Sequence, residues 1–138
     1  MKRSNDKLVY IVDDDSDDRQ IILDAFLENK YLGDYAFIES GDKLLENLQD
    51  PTALFPSLIM LDLNIPGIMG LQILQEIRSQ RQYSHIPIII LTTSSLHMDR
   101  KLAYEYGANS FLRKPNSFPQ LVVLADAILK LWLIDNDL

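Results

Sequence analysis

Residues 58–70 read LIMLDLNIPGIMG, a run of four apolar residues that ends at Asp62 and leads into a segment with proline and glycine. A short, unbroken apolar run bounded by turn residues is typical of a strand buried on both faces of a parallel sheet. This stretch therefore predicts a central strand with an aspartate at its carboxyl end.

The same kind of run recurs on both sides of this stretch, and amphipathic segments separate the runs. The strand candidates are LVYIV (8–12), YAFI (35–38), LIMLDL (58–63), IIIL (88–91) and SFL (110–112). The helix candidates are IILDAFL (21–27), KLLENL (43–48), LQILQEI (71–77), KLAYEY (101–106) and LVVLADAILKLWLI (121–134). Alternating strands and helices predict an α/β fold, a doubly wound five-stranded parallel sheet with five helices. Segments 49–57 and 79–86 are the loosest and are predicted as loops.

Bulk properties restrict the classes of function. The chain has 138 residues, is 47% hydrophobic, contains no cysteine and carries a formal charge of −7. We expect one domain over 1–138 with a core of about 7–134 and no output domain. The absence of cysteine excludes disulfides and thiolate metal sites. The negative charge disfavours nucleic-acid binding, and no apolar segment is long enough for a signal peptide or a membrane span, so a cytoplasmic protein is predicted.

Polar residues follow four of the predicted strands. They are Asp13, Asp14 and Asp15 after the first, Asp62 and Asn64 after the third, Thr92 to Ser95 after the fourth, and Arg113, Lys114 and Pro115 after the fifth. In an open parallel sheet, ligands bind beyond the carboxyl ends of the strands. Converging carboxylates repel one another, and a hard cation such as Mg²⁺ would offset that repulsion. The set predicts carboxylates for a metal, a carboxylate nucleophile, and a hydroxyl and an ammonium group for a phosphoryl group.

These residues resemble, over nearly the whole chain, the receiver domain of bacterial response regulators. VDDD matches the family's acidic pair, LIMLDLNIPGIMG its phosphoacceptor block, PIIILTT its switch hydroxyl and FLRKP its lysine. The resemblance implies the flavodoxin-like strand order 2-1-3-4-5. It also implies a phosphorelay in which a histidine kinase or phosphotransfer protein donates to Asp62, with signalling to a downstream protein rather than enzymatic turnover.

The resemblance assigns further roles by position. Asp13, Asp14, Asp62 and the backbone carbonyl of Asn64 would hold Mg²⁺, with Mn²⁺ as a substitute. Thr92 and Lys114 would contact the phosphoryl group, and Thr92 and Phe111 would form the switch. The bond between Lys114 and Pro115 is cis in the family. The tail WLIDNDL also resembles small single-domain regulators of phytochrome-type and other hybrid kinases.

The acidic segment and the starts of three helices allow more than one local interpretation. Asp15 leaves the register of the acidic pair ambiguous by one residue, and Asp13/Asp14 is preferred because these residues adjoin the apolar strand. Ser16 is predicted to cap the first helix, with Asp17 and Asp18 in its first turn favouring the helix dipole. Met69 stands where the family often has Asp or Asn, which predicts a weaker cap for the third helix. His97 and Met98 are predicted as loop residues.

The last helix presents more apolar surface than packing on a sheet requires. At 100° per residue, a core stripe is formed by Leu121, Leu124, Ala125, Ile128, Leu131 and Trp132. Val122, Leu129 and Leu133 form a second apolar arc beside it, which predicts a protein interface. Receiver domains commonly dimerise through their fourth and fifth helices, so a homodimer is expected there. The alternative is that the arc packs under neighbouring loops.

Two other functions compete with this interpretation. Haloacid-dehalogenase-type phosphatases use an aspartyl nucleophile and Mg²⁺, but their D-x-D motif follows the first strand and would leave LDLN after the third unexplained. A pseudo-receiver would act as a binding module without phosphorylation, yet such proteins typically lack a key residue and none is missing here. No glycine-rich nucleotide-binding motif occurs in the chain.

Overall fold

The apolar runs form five parallel strands in the computed structural model, which describes residues 7–65 and 69–133. The strands are β1 (Leu8–Val12), β2 (Asp34–Ile38), β3 (Leu58–Leu61), β4 (Ile88–Thr92) and β5 (Ser110–Arg113). The helices are α1 (Ser16–Glu28), α2 (Gly41–Gln49), α3 (Gly70–Arg78), α4 (His97–Glu105) and α5 (Phe118–Ile128). A 3₁₀ turn (Arg81–Tyr83) precedes β4, and a π-helical turn (Leu129–Leu133) continues α5. The predicted last helix extended to Ile134, which lies outside the described residues.

The sheet order is β2-β1-β3-β4-β5, so the predicted fold class and strand order are confirmed. All four strand pairs are parallel. The order reverses at β1, which pairs with both β2 and β3. This is the position where a doubly wound sheet opens a crevice at the carboxyl ends of its strands.

Successive residues of each central strand enter opposite cores, which explains the lack of polar alternation. In β4, Ile88 and Ile90 pack on the side covered by α2, α3 and α4. Ile89 and Leu91 pack on the side covered by α1 and α5. Both faces of the strand are thus withdrawn from water, as expected for a parallel sheet with helices on each side. None of the helices in the described ranges is long and apolar enough to span a bilayer.

Helix starts differ from the sequence prediction at two places. Asp15, not Ser16, caps α1, and its carboxylate accepts hydrogen bonds from the backbone N–H groups of Asp17 and Asp18. Both Asp and Ser are favoured caps, and here the helix begins one residue earlier than predicted. The loop prediction for His97 and Met98 was also wrong, because α4 begins at His97.

The third helix begins without a side-chain cap, as Met69 predicted. Its start is held instead by close backbone approach, since the N–H of Gly70 donates to the carbonyl of Leu63 at 3.2 Å. A Cβ at Gly70 would lie 2.6 Å from the Cα of Leu63, so only glycine fits without a shift of backbone.

The second apolar arc of the last helix is not a surface. Leu129 and Leu133 are 8% and 5% exposed and belong to the core between the sheet, α1 and α5, whereas Leu131 is 73% exposed. Val122 is partly buried against the same core. The wheel assumed 100° per residue, but the π-helical turn from Leu129 changes the helical phase and rotates these side chains inward. The prediction of an interface at Leu129 and Leu133 was therefore wrong.

Candidate functional site

Asp13 and Asp62 lie side by side at the carboxyl edge of the sheet because their strands pair in register. Val12 is opposite Leu61, and the next residue of each strand is an aspartate. The N–H of Asp62 donates to the carbonyl of Val12 at 3.0 Å, and the N–H of Asp13 donates to the carbonyl of Ile38 at 3.0 Å. The two aspartates are 1% and 6% exposed. Two buried carboxylates thus face the same crevice.

Lys114 joins these carboxylates from the far side of the sheet. Its N–H donates to the carbonyl of Thr92 at 2.8 Å, which fixes its backbone to the end of β4. Its Nζ lies 2.7 Å from Asp13 Oδ2 and 2.9 Å from Asp62 Oδ2. A third carboxylate, Asp18 in the first turn of α1, places Oδ2 2.9 Å from the same Nζ. One ammonium group therefore binds three carboxylates, one for each of its donors.

The charge balance of this cluster is unequal. Three carboxylates against one ammonium group leave a formal excess of two negative charges. Burial is the main cause that raises the pKa of Asp13, and the hydrogen bonds from Lys114 and the Asp15 N–H only partly oppose it. Burial alone would lower the pKa of Lys114, but hydrogen bonds to Asp13, Asp62 and Asp18 outweigh it and raise that pKa. The ammonium group is therefore firmly charged, and the buried carboxylates remain undercompensated.

Thr92 completes the edge at the end of β4. It is fully buried, and its Oγ1 accepts a hydrogen bond from the N–H of Ser94 at 3.3 Å. The hydroxyl of Ser94 donates to Asp99 Oδ2 at 2.6 Å, in the first turn of α4. Thr92 thus connects the edge of the sheet to the start of α4 through Ser94.

The predicted metal ligands are only partly assembled. Asp14 is exposed and lines an open depression at the start of α2, with Glu39, Ser40, Asp42, Lys43 and Glu46. The N–H of Asn64 donates to Asp62 Oδ1 at 3.1 Å, which orients the Asp62 carboxylate. Over 7–65 and 69–133, no three His, Asp or Glu side chains are grouped as a metal-binding set. Asp13 and Asp62 are together and share Lys114, whereas Asp14 points elsewhere.

The chain is similar to known proteins over most of its length. Residues 9–126 match the family model of the response regulator receiver domain. The chain belongs to this family. Receiver domains are signalling domains of two-component systems, and the cluster of Asp13, Asp62, Thr92 and Lys114 lies within the matched range.

Relatives of this receiver domain include stand-alone regulators. Response regulator Rcp1 of Synechocystis sp. is 27% identical, and the match covers 92% of this chain and 89% of Rcp1. The probable methanogenesis regulatory protein FilR2 of Methanothrix harundinacea is 29% identical, with 91% and 83% covered. Several transcriptional regulators that also match are longer, and the chain spans about half of their length.

Solved structures agree with the fold throughout the receiver domain. The Mn²⁺-bound form of Rcp1 superimposes with a TM-score of 0.86 at 26% identity, covering 96% of this chain and 98% of that one. The phosphorylated cyanobacterial phytochrome response regulator RcpA gives a TM-score of 0.86 at 27% identity, with 92% and 94% covered. The resemblance to stand-alone regulators of this type is confirmed.

Asp18 is the member of the receiver's cluster that sequence reasoning missed. It was interpreted only as a first-turn residue that favours the helix dipole, a role its position in α1 still allows. Its contact with Lys114 joins residues 96 apart in sequence. One sequence signal was available, because Asp18 lies one helical turn after the acidic segment. Its contact with Lys114, which follows the fifth strand, could be seen only in the three-dimensional fold.

Phe111 lies in the core rather than at the surface. It is 6% exposed, packs in the cluster on the side of α2, α3 and α4, and its N–H donates to the hydroxyl of Tyr104 at 3.0 Å. The expected cis bond before Pro115 is absent, since no cis peptide occurs in the described ranges. The trans form is lower in energy for most X–Pro bonds. With a trans bond before Pro115, the Lys114 side chain contacts Asp13, Asp18 and Asp62.

The acidic register is the remaining ambiguity that the structure bears on. The Asp15 carboxylate accepts two N–H groups of α1 as a helix cap. Asp13 receives the N–H of Asp15 on Oδ1 and Lys114 on Oδ2. Asp13 and Asp15 therefore have different contacts, and the Asp13/Asp14 pair stays a prediction.

Proposed function

We propose that Asp62 accepts a phosphoryl group from a histidine kinase or a phosphotransfer protein, and that the receiver then signals through protein contacts. The observation that carries the proposal is Lys114 Nζ at 2.9 Å from Asp62 Oδ2, beside a second buried carboxylate. Asp62 follows β3, the middle strand of the sheet, so it lies between Asp13 after β1 and Thr92 at the end of β4. Its carboxylate has one oxygen oriented by the Asn64 N–H, which suits a carboxylate nucleophile.

The transfer itself requires little covalent chemistry from the protein. An Asp62 carboxylate oxygen forms a bond to phosphorus while the P–N bond of the donor phosphohistidine breaks, and that electron pair returns to the imidazole nitrogen. The product is an acyl phosphate. Charge on the equatorial phosphoryl oxygens is stabilised by positioned cations and donors, which is the main source of catalysis in phosphoryl transfer. Lys114 supplies the cation, and the hydroxyl proton of Thr92 is available because its oxygen serves as acceptor to Ser94.

The donor set of the crevice fits a divalent metal ion. Asp13 and Asp62 are buried carboxylates with an excess of negative charge, and hard cations bind oxygen ligands of this kind. Asp13, Asp14, Asp62 and the Asn64 carbonyl would hold Mg²⁺, or Mn²⁺ as in the Mn²⁺-bound Rcp1, and Asp14 would have to turn from α2. When bound, such an ion neutralises charge on the phosphoryl oxygens.

The switch that follows would run through Thr92 and Phe111. A phosphoryl oxygen on Asp62 would draw the Thr92 hydroxyl toward it and weaken its bond with the N–H of Ser94. Ser94 is bonded to Asp99 of α4, so the start of that helix would respond. Phe111 would then move into the space released beside Thr92. Receiver output on the α4 side is the expected consequence.

A decisive experiment is intact-mass analysis after incubation with acetyl phosphate and Mg²⁺. Wild type should gain the mass of one phosphoryl group, and Asp62→Asn should gain none. Asp24→Asn on the exposed face of α1 is the matched control, since its carboxylate accepts from Gln20 within its own helix. Undiminished labelling of Asp62→Asn would refute the assignment, and an unlabelled wild type would favour a pseudo-receiver that acts by binding alone.

The phosphatase alternative loses its main support in this arrangement. Its D-x-D motif would use Asp13 and Asp15, but the Asp15 carboxylate caps α1 by accepting the N–H groups of Asp17 and Asp18. A phosphatase would release phosphate from small esters over many turnovers, whereas we expect one phosphoryl group per chain.

A homodimer through α4 and α5 stays a prediction, but other residues must carry it. Val123 is 71% exposed and lines, with Leu112 and Leu124, an open depression beside β5. Analytical ultracentrifugation over a concentration series, with and without beryllofluoride, should show dimer formation that Val123→Asp weakens. A monomer at every concentration in both states would refute it.

A further inference from the structure

We propose that Asp18 is a positioning residue that holds Lys114 before phosphorylation and has to release it for the phosphoryl group. This inference rests on the proposed phosphorylation of Asp62. It comes from the contact of Asp18 Oδ2 with Lys114 Nζ at 2.9 Å, which the roles assigned so far do not use.

Lys114 has no donor to spare in the unmodified protein. An ammonium group has three N–H donors, and those of Lys114 are committed to Asp13, Asp18 and Asp62. A phosphoryl group arriving at Asp62 needs a donor from Lys114 for its own oxygens. One of the three existing contacts must therefore be given up.

Burial decides which contact is given up. The side chains of Asp13 and Asp62 are 2% and 7% exposed, whereas that of Asp18 is 41% exposed. Separating Lys114 from Asp13 would leave a buried carboxylate without its cation, which is costly, and separating it from Asp62 would take the cation away from the residue that receives the phosphoryl group. Asp18 can turn its carboxylate into water, where solvation replaces the contact. It is the exchangeable partner of the three.

Breaking the Lys114–Asp18 contact costs free energy, and this cost should slow the phosphorylation of Asp62. The Lys114–Asp18 contact stabilises the unmodified state and is lost as the phosphoryl group is bound. Removing the Asp18 carboxylate should therefore speed phosphorylation of Asp62, in the step where the P–O bond of acetyl phosphate breaks and acetate leaves. A partly exposed ion pair corresponds to an increase in rate constant of about two- to fivefold.

The chain offers a matched control in the neighbouring residue. Asp17 has the same charge and lies in the same turn of α1. The Lys114 ion pairs run to Asp13, Asp18 and Asp62 and not to Asp17. Asp17→Asn changes net charge and helix-dipole interaction as Asp18→Asn does. The difference between the two variants isolates the contact with Lys114.

The test measures phosphorylation rate constants for wild type, Asp18→Asn, Asp18→Glu and Asp17→Asn with Mg²⁺. Acetyl phosphate and the less strongly charged phosphoramidate serve as donors. We expect Asp18→Asn to be about two- to fivefold faster with both donors, Asp18→Glu to return toward wild type, and Asp17→Asn to stay near wild type. A gain seen only with acetyl phosphate would indicate general repulsion of anions and overturn the proposal.

Other outcomes would also overturn it. Equal rates for Asp18→Asn and Asp17→Asn, a slower Asp18→Asn, or an Asp18→Glu variant that behaves as Asp18→Asn would each exclude a release step at Asp18. These results leave the proposed function intact as long as wild type is labelled at Asp62. A wild type without labelling would remove the proposed function, and the role of Asp18 with it.

Discussion

Replacing Asp13 with asparagine should stabilise the metal-free protein while it weakens the response to Mg²⁺. Asp13 is 1% exposed and lies in a cluster with two more carboxylates than cations bound to it. Asparagine has nearly the same shape, and its amide oxygen can still accept the N–H of Asp15. The substitution therefore removes a buried charge without opening a cavity.

The size of the effect follows from two opposing contributions. Removing one partner of a buried ion pair costs about 3–5 kcal/mol when the other charge is left unpaired, but Lys114 keeps Asp18 and Asp62. The substitution therefore removes an unfavourable buried charge, while Lys114 loses one charged acceptor at 2.7 Å. Hydrogen bonds to charged groups contribute about 1.5–3 kcal/mol, so the two contributions largely cancel and the net gain should be small, about 1 kcal/mol. For a chain of this length, that corresponds to a rise of about 3 °C in Tm.

The pH dependence gives the sign of the effect independently. Burial raises the pKa of Asp13 above its ordinary 3.8, so the protonated form is the better tolerated in the fold. The stability that the protonated Asp13 carboxyl contributes is fully present below the unfolded-state pKa and is lost as pH rises through the raised folded-state pKa. Wild type loses this stability over that window and Asp13→Asn does not. The advantage of the variant should therefore grow as pH rises from about 4 toward neutrality.

Urea unfolding in chelator-treated buffer measures this comparison, with Asp17→Asn as an exposed control in α1. Addition of Mg²⁺ should reverse the order, because a ligand at about 100 times its Kd adds about 2.7 kcal/mol to a protein that binds it. A variant that is less stable than wild type without metal at pH 7 would refute the charge argument. So would an advantage that grows as pH falls.

Three further substitutions test packing away from the site. Arg78→Met should lower the free energy of unfolding in urea by about 3 kcal/mol. The reason is that the Arg78 guanidinium donates, within 2.9 Å, to the carbonyls of Gly107, Tyr83 and Ile86 and to the side chain of Asn109. A loss below about 1 kcal/mol would contradict this role. Tyr31→Phe should cost about 1 kcal/mol. It should also reduce the loss of stability expected of wild type as pH rises from 10.0 to about 12, since burial raises the pKa of Tyr31 to about 12; an unchanged alkaline transition would exclude this group. Leu129→Asp should lower Tm sharply without a specific change in association, because Leu129 is 8% exposed within the core; normal melting with altered sedimentation would restore the interface interpretation.

The three central strands, β1, β3 and β4, were predictable because both of their faces are withdrawn from water. An unbroken run such as Ile88 to Leu91 fits no exposed strand, and five apolar runs separated by helical patterns leave few other folds. Asp13, Asp62 and Lys114 could be predicted to meet for the same reason, since residues that follow neighbouring parallel strands share one edge of the sheet.

Side-chain direction was harder to predict than strand order. Asp14 directly follows Asp13, yet one carboxylate is buried beside Lys114 and the other lines the start of α2. Leu129 and Leu133 were placed on the surface by a constant helical angle that the π-helical turn does not keep. The link between Asp18 and Lys114 depends on how α1 lies against the end of β5, a tertiary property that local patterns do not contain.

The unequal charge of the cluster explains why the unmodified receiver should resist phosphorylation until a cation is supplied. A phosphoryl group is an anion, and it must approach Asp62 where Asp13 and Asp18 already share one ammonium group. Lys114 cannot donate fully to the phosphoryl oxygens while three carboxylates occupy its N–H donors. The divalent ion offsets the excess charge of the buried pair, and release of Asp18 frees a donor. Both events act on carboxylates that share Lys114, so metal dependence and the Asp18 effect should be coupled, and Asp18→Asn should change the Mg²⁺ dependence of phosphorylation.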